Sequence, residues 1–268
     1  MHAINQRYIG YLNTPVLWTG ENSLGIHQFI MPEHNTTTFN VSVENRLRLG
    51  KLVERFVGFE LNQFKNINIL TENIQIQQEK RTLGELDCIL KQDNQLIHLE
   101  IVYKFYLYDP EVGTTELDHW IGPNRKDCLV DKLVKLKDKQ LPLLYHPETK
   151  KFLDTLEISS KDIVQQVYFK AQLFVPHHLK ANIFQSLNPD CVQGFYISYN
   201  NLNQLKDCKF YMPKKTDWLC AIQTQISWCS YSNFVNEIEP LIATKTVPLC
   251  WIKYPNGLTK KCFIVWWL

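Results

Sequence analysis

The chain has 268 residues, 45% of them hydrophobic and 21% charged, with a formal net charge of +2. That is apolar material for one large core or two modest ones, which excludes an intrinsically disordered chain. A charge so near zero gives no general attraction to nucleic acid, so any such binding must come from a local patch.

Eight cysteines stand at positions 88, 128, 191, 208, 220, 229, 250 and 262 without a Cys-x-x-Cys pair, and no signal peptide precedes them. The expectation is reduced thiols in a cytoplasmic protein, with zinc sites and disulfides both disfavoured. Apolar runs such as Cys262–Leu268 fall far short of the ~20 residues a membrane helix requires, so no membrane partner is expected.

Residues 1–40 are rich in aromatic residues and prolines and read as short helices and a packed arm, ending in the polar Asn35–Thr38 linker. From Val43 to Asn62 the residues Leu47, Leu49, Val53, Phe56, Val57 and Leu61 fit a largely buried helix. Glu54 falls on the stripe of Leu47 and Leu61, with Gly50 and Gly58 four positions away on each side. Glycines there let neighbouring backbone approach, and a carboxylate so placed needs a metal, a metal-bound water or a cation. The plainer alternative is an ion pair with an arginine at the helix border.

A strand over Asn73–Gln78 precedes two period-two runs, Gly84–Leu90 and Gln95–Phe105, separated by Lys91–Asn94. With turn chemistry at Asp93-Asn94 they read as a β-hairpin. Glu85, Asp87 and Ile89 point to one side of the first strand; His98, Glu100, Val102, Lys104 and Tyr106 share one side of the second. Asp87, Glu100 and Lys104 therefore converge. Two carboxylates and an amine suit metal-assisted phosphodiester cleavage, because hard oxygens hold Mg²⁺ and a cation offsets charge on the transferred group.

A loop containing Asp109–Gly113 follows, and then Gly122-Pro-Asn-Arg-Lys, where Pro123 opens a helix running to Gln140. Leu129, Leu133 and Leu136 form its inner stripe, and Lys132, Lys135 and Lys139, helped by Arg125 and Lys126, form a basic one. Such a stripe can follow a phosphate backbone, or be only the wet side of an amphipathic helix. Gln140 ends the helix where it could aim an amide at the site.

After Pro147 the pattern turns to strands at Gln165–Val175, Gly194–Ser198, Val247–Tyr254 and Lys260–Leu268, the last two joined by a turn at Pro255-Asn256-Gly257, with a helix over Tyr231–Ile242. The many aromatics of this half read as core before base-stacking surface. Pro213–Trp218 reads as a basic loop, and His177-His178 lacks the neighbours a metal site needs. No repeat, Walker loop or Gly-x-Gly-x-x-Gly is present, which argues against nucleoside triphosphate chemistry.

Gly84-Glu-Leu-Asp87, followed by a hydrophobic strand carrying Glu100 and Lys104, resembles the PD-(D/E)XK nuclease superfamily, which includes Holliday-junction resolvases and many restriction enzymes. A wider set of pieces is similar to one bacterial family of that superfamily, domain-of-unknown-function family 1853: Arg48–Phe56, Thr82–Asp87, His98–Leu107, Gly122–Asp127, Lys139–Leu141 and the C-terminal strand. The superfamily signature places its lysine two residues after the acid; here that position is Val102, and Lys104 lies two residues on. The backbone separation becomes ~13 Å instead of ~7 Å. A long lysine side chain or a β-bulge covers part of that.

The resemblance implies an α/β (α+β) fold with a PD-(D/E)XK mixed sheet flanked by helices at residues 41–147, after an N-terminal arm at 1–40. A β-rich region at 148–268 then packs on the core or extends it. It implies a metal-dependent phosphodiesterase acting on nucleic acid, DNA before RNA. Asp87 and Glu100 would bind Mg²⁺ or Mn²⁺, Glu54 a metal-bound water or a second ion, and Lys104, with Gln140 nearby, would serve the attacking hydroxide or the transition state. Arg125, Lys126, Lys132, Lys135 and Lys139 would bind the nucleic acid. The alternative is a catalytically inactive module that binds nucleic acid or a protein; hydrolysis of a small phosphoester is a third reading.

Overall fold

In the computed structural model, which describes residues 3–35, 37–44, 47–179 and 184–268, the period-two runs become strands and the chain folds as mixed α/β with a nine-stranded mixed sheet. It divides into two compact units. One, the hairpin unit, is Val16–Tyr103 with Asp131–Lys170; the other, the C-terminal unit, is Met1–Pro15, Lys104–Val130 and Ala171–Leu268. Strands β3 (Gln95–Tyr108) and β5 (Ile163–Pro176) contribute to both.

In the hairpin unit, β1 (Ile67–Gln78) pairs antiparallel with β2 (Arg81–Gln92), and β2 pairs antiparallel with β3. The expected hairpin turn forms: Gln92 faces Gln95, and Asp93 sits at φ 51, a left-handed conformation that Asp tolerates and a two-residue connection requires. Strand β1 begins six residues before the expected Asn73, because the pairing slips between Ile69 and Thr71 and Asn73 itself takes φ 56, which hides the alternation. Gly84 has a packing reason. A Cβ there would come within 2.7 Å of Leu143, which joins Ile76, Leu86, Ile89, Leu144, Leu153 and Ile163 in the unit's core.

Helix α2 spans Leu49–Leu61 and does not start at Val43: Arg48 is extended at ψ 151, so Leu47 precedes the helix, while residues 45 and 46 lie outside the described residues. Leu52, Val53, Phe56, Val57 and Leu61 are buried as the stripe requires. Of the two glycines, Gly58 meets a close neighbour, with Glu72 Oε1 2.6 Å from where a Cβ would stand; Gly50 has nothing within 4 Å. The arm of residues 16–30 lies along β5, with Leu17 N–H donating to Phe169 O at 2.8 Å and Phe29 N–H to Val167 O at 2.9 Å.

The helix expected from Pro123 begins later. Gly122 N–H donates to Asp127 O at 2.7 Å, and Arg125 at φ 56 cannot continue a right-handed helix, so Pro123 opens a closed turn. Helix α3 is Leu129–Lys135, followed by a π turn at Leu136–Gln140 and a 3₁₀ turn at Leu141–Tyr145; α4 is Pro147–Thr155. Leu129, Leu133 and Leu136 are buried, as the inner stripe demands.

In the C-terminal unit, β6 (Val192–Ser198) lies parallel to both β5 and β9 (Thr259–Val265); β8 (Leu249–Lys253) and β7 (Lys209–Tyr211) add antiparallel, and short β4 (Trp120–Ile121) pairs with β3. The turn at 255–257 closes with Gly257 at φ 85. Helix α5 (Tyr231–Ala243) packs Phe234 and Ile238 on Phe195, Phe210, Ile252 and Ile264, and the N-terminal α1 (Ala3–Leu12) completes the set of α-helices among the described residues. The aromatics of this half are mainly core: Phe195, Tyr196, Phe210, Trp251 and Trp267 are buried. All eight cysteines are free. No helix among the described residues is long and apolar enough to cross a membrane.

Candidate functional site

The paired ladder of β2 and β3 runs from Gln92 and Gln95 to Cys88 and Leu99. One step beyond it the register places Asp87 across from Glu100. Here the side chain replaces the ladder: Asp87 Oδ2 accepts the Ile101 N–H at 2.9 Å, in place of a backbone carbonyl of β2. Burial raises the Asp87 pKa to about 7, and the charges of Glu100 and Glu54 add to the rise; the Ile101 hydrogen bond and Lys132 oppose it. Two carboxylates thus stand on one side of the sheet where the hairpin ladder ends, near enough for the Glu100 charge to act on Asp87.

Glu100 is fully buried, and each of its oxygens has a donor. Gln140 Nε2 donates to Oε2 at 2.5 Å, and His98 Nε2 lies 3.1 Å from Oε1. The partners behind fix the polarity. The Leu141 carbonyl can only accept, so the Gln165 amide nitrogen points at it (2.6 Å), and the same nitrogen, 2.9 Å from His98 Nδ1, donates there too. His98 therefore carries its proton on Nε2, toward Glu100. On the other flank Lys132 Nζ donates to Gln140 Oε1 at 2.7 Å, which aims the Gln140 amide nitrogen at the acid.

Beside Asp87, Lys51 Nζ bridges Glu54 Oε2 (2.8 Å), Glu85 Oε1 (2.6 Å) and Asn73 Oδ1 (2.8 Å). The Glu54 pKa is raised, by burial first, against the pull of Lys51. Burial alone would lower the Lys51 pKa, yet its hydrogen bonds to Glu54 and Glu85 leave it raised. Glu54 does have an ion-pair partner, and it is this lysine of its own helix, not an arginine.

The family described as "Domain of unknown function (DUF1853)" matches residues 30–264. The chain belongs to that family. No curated protein and no solved structure matches it.

The DUF1853 chain thus brings Asp87, Glu100, Gln140 and Lys132 into one network, with Glu54 coupled to it through charge. Lys104 is engaged elsewhere, its ammonium 2.7 Å from Asp127 Oδ2. Arg125 is held by Asp109 Oδ2 at 2.6 Å and lies 4.6 Å from the Trp267 ring centroid, while Lys126, Lys135 and Lys139 are exposed. Among the described residues no group of three or more His, Cys, Asp or Glu side chains has metal-site geometry. Sequence reasoning assigned no role to His98, Gln165, Lys51 or Glu85. For His98 a signal existed: it stands two residues before Glu100, on the same side of β3.

Proposed function

We propose that this DUF1853 protein is a metal-dependent phosphodiesterase of PD-(D/E)XK type acting on nucleic acid, with DNA as the substrate. The observation that carries the reading is the placing of Asp87 opposite Glu100 where the β2–β3 ladder ends, with the Glu100 charge raising the Asp87 pKa, a repulsion that a dication would relieve. The donor set fits Mg²⁺ or Mn²⁺. Such ions take hard oxygen ligands, and Mg²⁺ is commonly held by one or two carboxylates, the remaining positions going to water and substrate phosphate. A two-acid site accordingly needs no third protein ligand.

When bound, the ion supplies Lewis-acid polarisation of a phosphoryl oxygen and neutralisation of charge. The chain's own residues do the rest. Asp87 and Glu100 hold the ion, and the paired donors on Glu100 keep its carboxylate oriented. Lys132, docked on Gln140, is the cation best supported for offsetting charge on the transferred group, a role the signature would give to Lys104. Glu54, half-buried and restrained by Lys51, orients water. Lys126, Lys135 and Lys139 meet flanking phosphates. The free cysteines support a reducing, cytoplasmic setting.

The ion pair of Lys104 with Asp127, together with apolar Val102 at the signature position, favours a second reading: a module that binds nucleic acid without cutting it. Incubation of single-stranded, duplex and branched DNA with the protein and Mn²⁺ separates the two. Cleavage lost in Asp87→Ala supports the enzyme; binding with no product from any substrate assigns the inactive module.

A further inference from the structure

The C-terminal unit holds a cation that the proposed chemistry does not use. Lys261 on β9 is 6% exposed. Its ammonium donates to Gln172 Oε1 at 2.8 Å and to the Trp218 carbonyl at 3.0 Å. A lysine has three N–H donors, and the third has no acceptor among the described residues. Among the described residues no carboxylate acts on the group; its electrostatic neighbour is the Cys220 thiol, itself pushed up to about 11 by burial and the Asp217 charge. Burial draws the Lys261 pKa down to about 8, so the group still carries charge at neutral pH. A buried charge without a counter-charge is costly, and charges so placed are ordinarily paired.

Lys261 lines a cleft of about 350 Å³, at the small end of the ligand-site range. The other polar walls are Asn13, Thr14, Gln172, Gln193 and Thr259, all carboxamides or hydroxyls, and no acidic side chain takes part. Gln193 spends an amide proton on Asp190 O, which leaves its amide oxygen as an acceptor for a ligand's own hydroxyl. A single cation with one remaining donor matches a monoanion better than a phosphate dianion, and an ammonium-bearing ligand would find no acid to receive it.

We propose that this cleft binds a small hydroxylated monocarboxylate, with its carboxylate on the Lys261 ammonium and its hydroxyls on the carboxamide and threonine walls. The site is built entirely from the C-terminal unit and stands independently of the nuclease reading.

Three probes test it by calorimetry and saturation-transfer NMR on the full chain: D-gluconate, its neutral amide gluconamide, and inorganic phosphate. Gluconate should bind one to one, at least about ten-fold more tightly than gluconamide, since a charge-assisted hydrogen bond is lost in the amide. Phosphate should not displace it. Lys261→Met should abolish the preference for the charged probe. If that variant does not fold, the exposed Gln193→Ala should weaken gluconate several-fold in a folded protein. Equal binding of acid and amide, displacement by phosphate, or no gluconate binding at about 10 mM would overturn the proposal.

Discussion

Gln140 Nε2 donates to Glu100 Oε2 at 2.5 Å, so the last residue of the π turn fixes an acid forty positions earlier in β3. With His98 on the other oxygen, a fully buried carboxylate keeps two donors, and each donor is itself aimed by a partner, Lys132 or Gln165. Removing a donor from a buried charge strands it. Gln140→Leu should lower unfolding free energy by about 1.5–3 kcal/mol, and His98→Phe by at least as much, because one of the two Gln165 amide protons then loses its acceptor too. Urea titration reads both; losses below about 0.5 kcal/mol would mean the clamp does not hold Glu100.

Asp87 should make the metal-free protein less stable as pH rises. Its folded pKa, about 7, exceeds the ordinary carboxyl value of 3.8, so the neutral form is favoured by folding. That contribution is complete below about pH 4 and is lost as pH climbs through about 7. Asp87→Asn keeps an oxygen for the Ile101 N–H and removes the charge. In EDTA the variant should gain on wild type by a few kcal/mol between about pH 5 and pH 8. Thermal melts showing a pH-independent difference would refute the raised Asp87 pKa, to which burial contributes most and the Glu100 charge next.

Lys132 and Lys104 separate by their partners, one on Gln140 and the other on Asp127. In a DNA-cleavage assay Lys132→Ala should lower kcat by about 10²–10³, the usual loss when a charge-stabilising donor is removed, with Mn²⁺ affinity changed little. Lys104→Ala should cost less than about ten-fold. The opposite ranking would return the cationic role to Lys104.

Lys135 and Lys139 are exposed and free to meet phosphates, unlike Arg125, which is spent on Asp109 and Trp267. A Lys135→Glu, Lys139→Glu variant should bind every DNA sequence more weakly and lower the log–log salt slope by ~0.7 to 0.9 for each phosphate no longer neutralised. An unchanged slope would leave this stripe as plain solvated surface.

The hairpin was legible in the sequence because alternation and an Asp-Asn turn are local signals, and the face carrying Asp87 and Glu100 followed from parity alone. The start of α3 was not. Pro123 suits a first helical turn, and nothing local in Arg125 announces the left-handed φ that closes the 122–127 turn. The Glu100 clamp was half legible: Gln140 could be singled out as an amide near the site, whereas Gln165 reaches His98 across 67 positions through tertiary packing that no spacing rule encodes. Glu54 on its buried stripe demanded a metal, a metal-bound water or a cation, and the cation is Lys51, one helical turn away on the same helix, where the plainer expectation was an arginine at the helix border.

If Asp87 and Glu100 jointly hold a divalent ion, titration calorimetry with Mn²⁺ in the presence of duplex DNA should register it. One ion per chain should bind in the micromolar to millimolar range, with proton release near pH 7 as Asp87 ionises, and Asp87→Ala should abolish the heat. Wild-type protein that takes up no Mn²⁺ at millimolar concentration, or Asp87→Ala that binds it as well as wild type, would show that these two acids hold no ion.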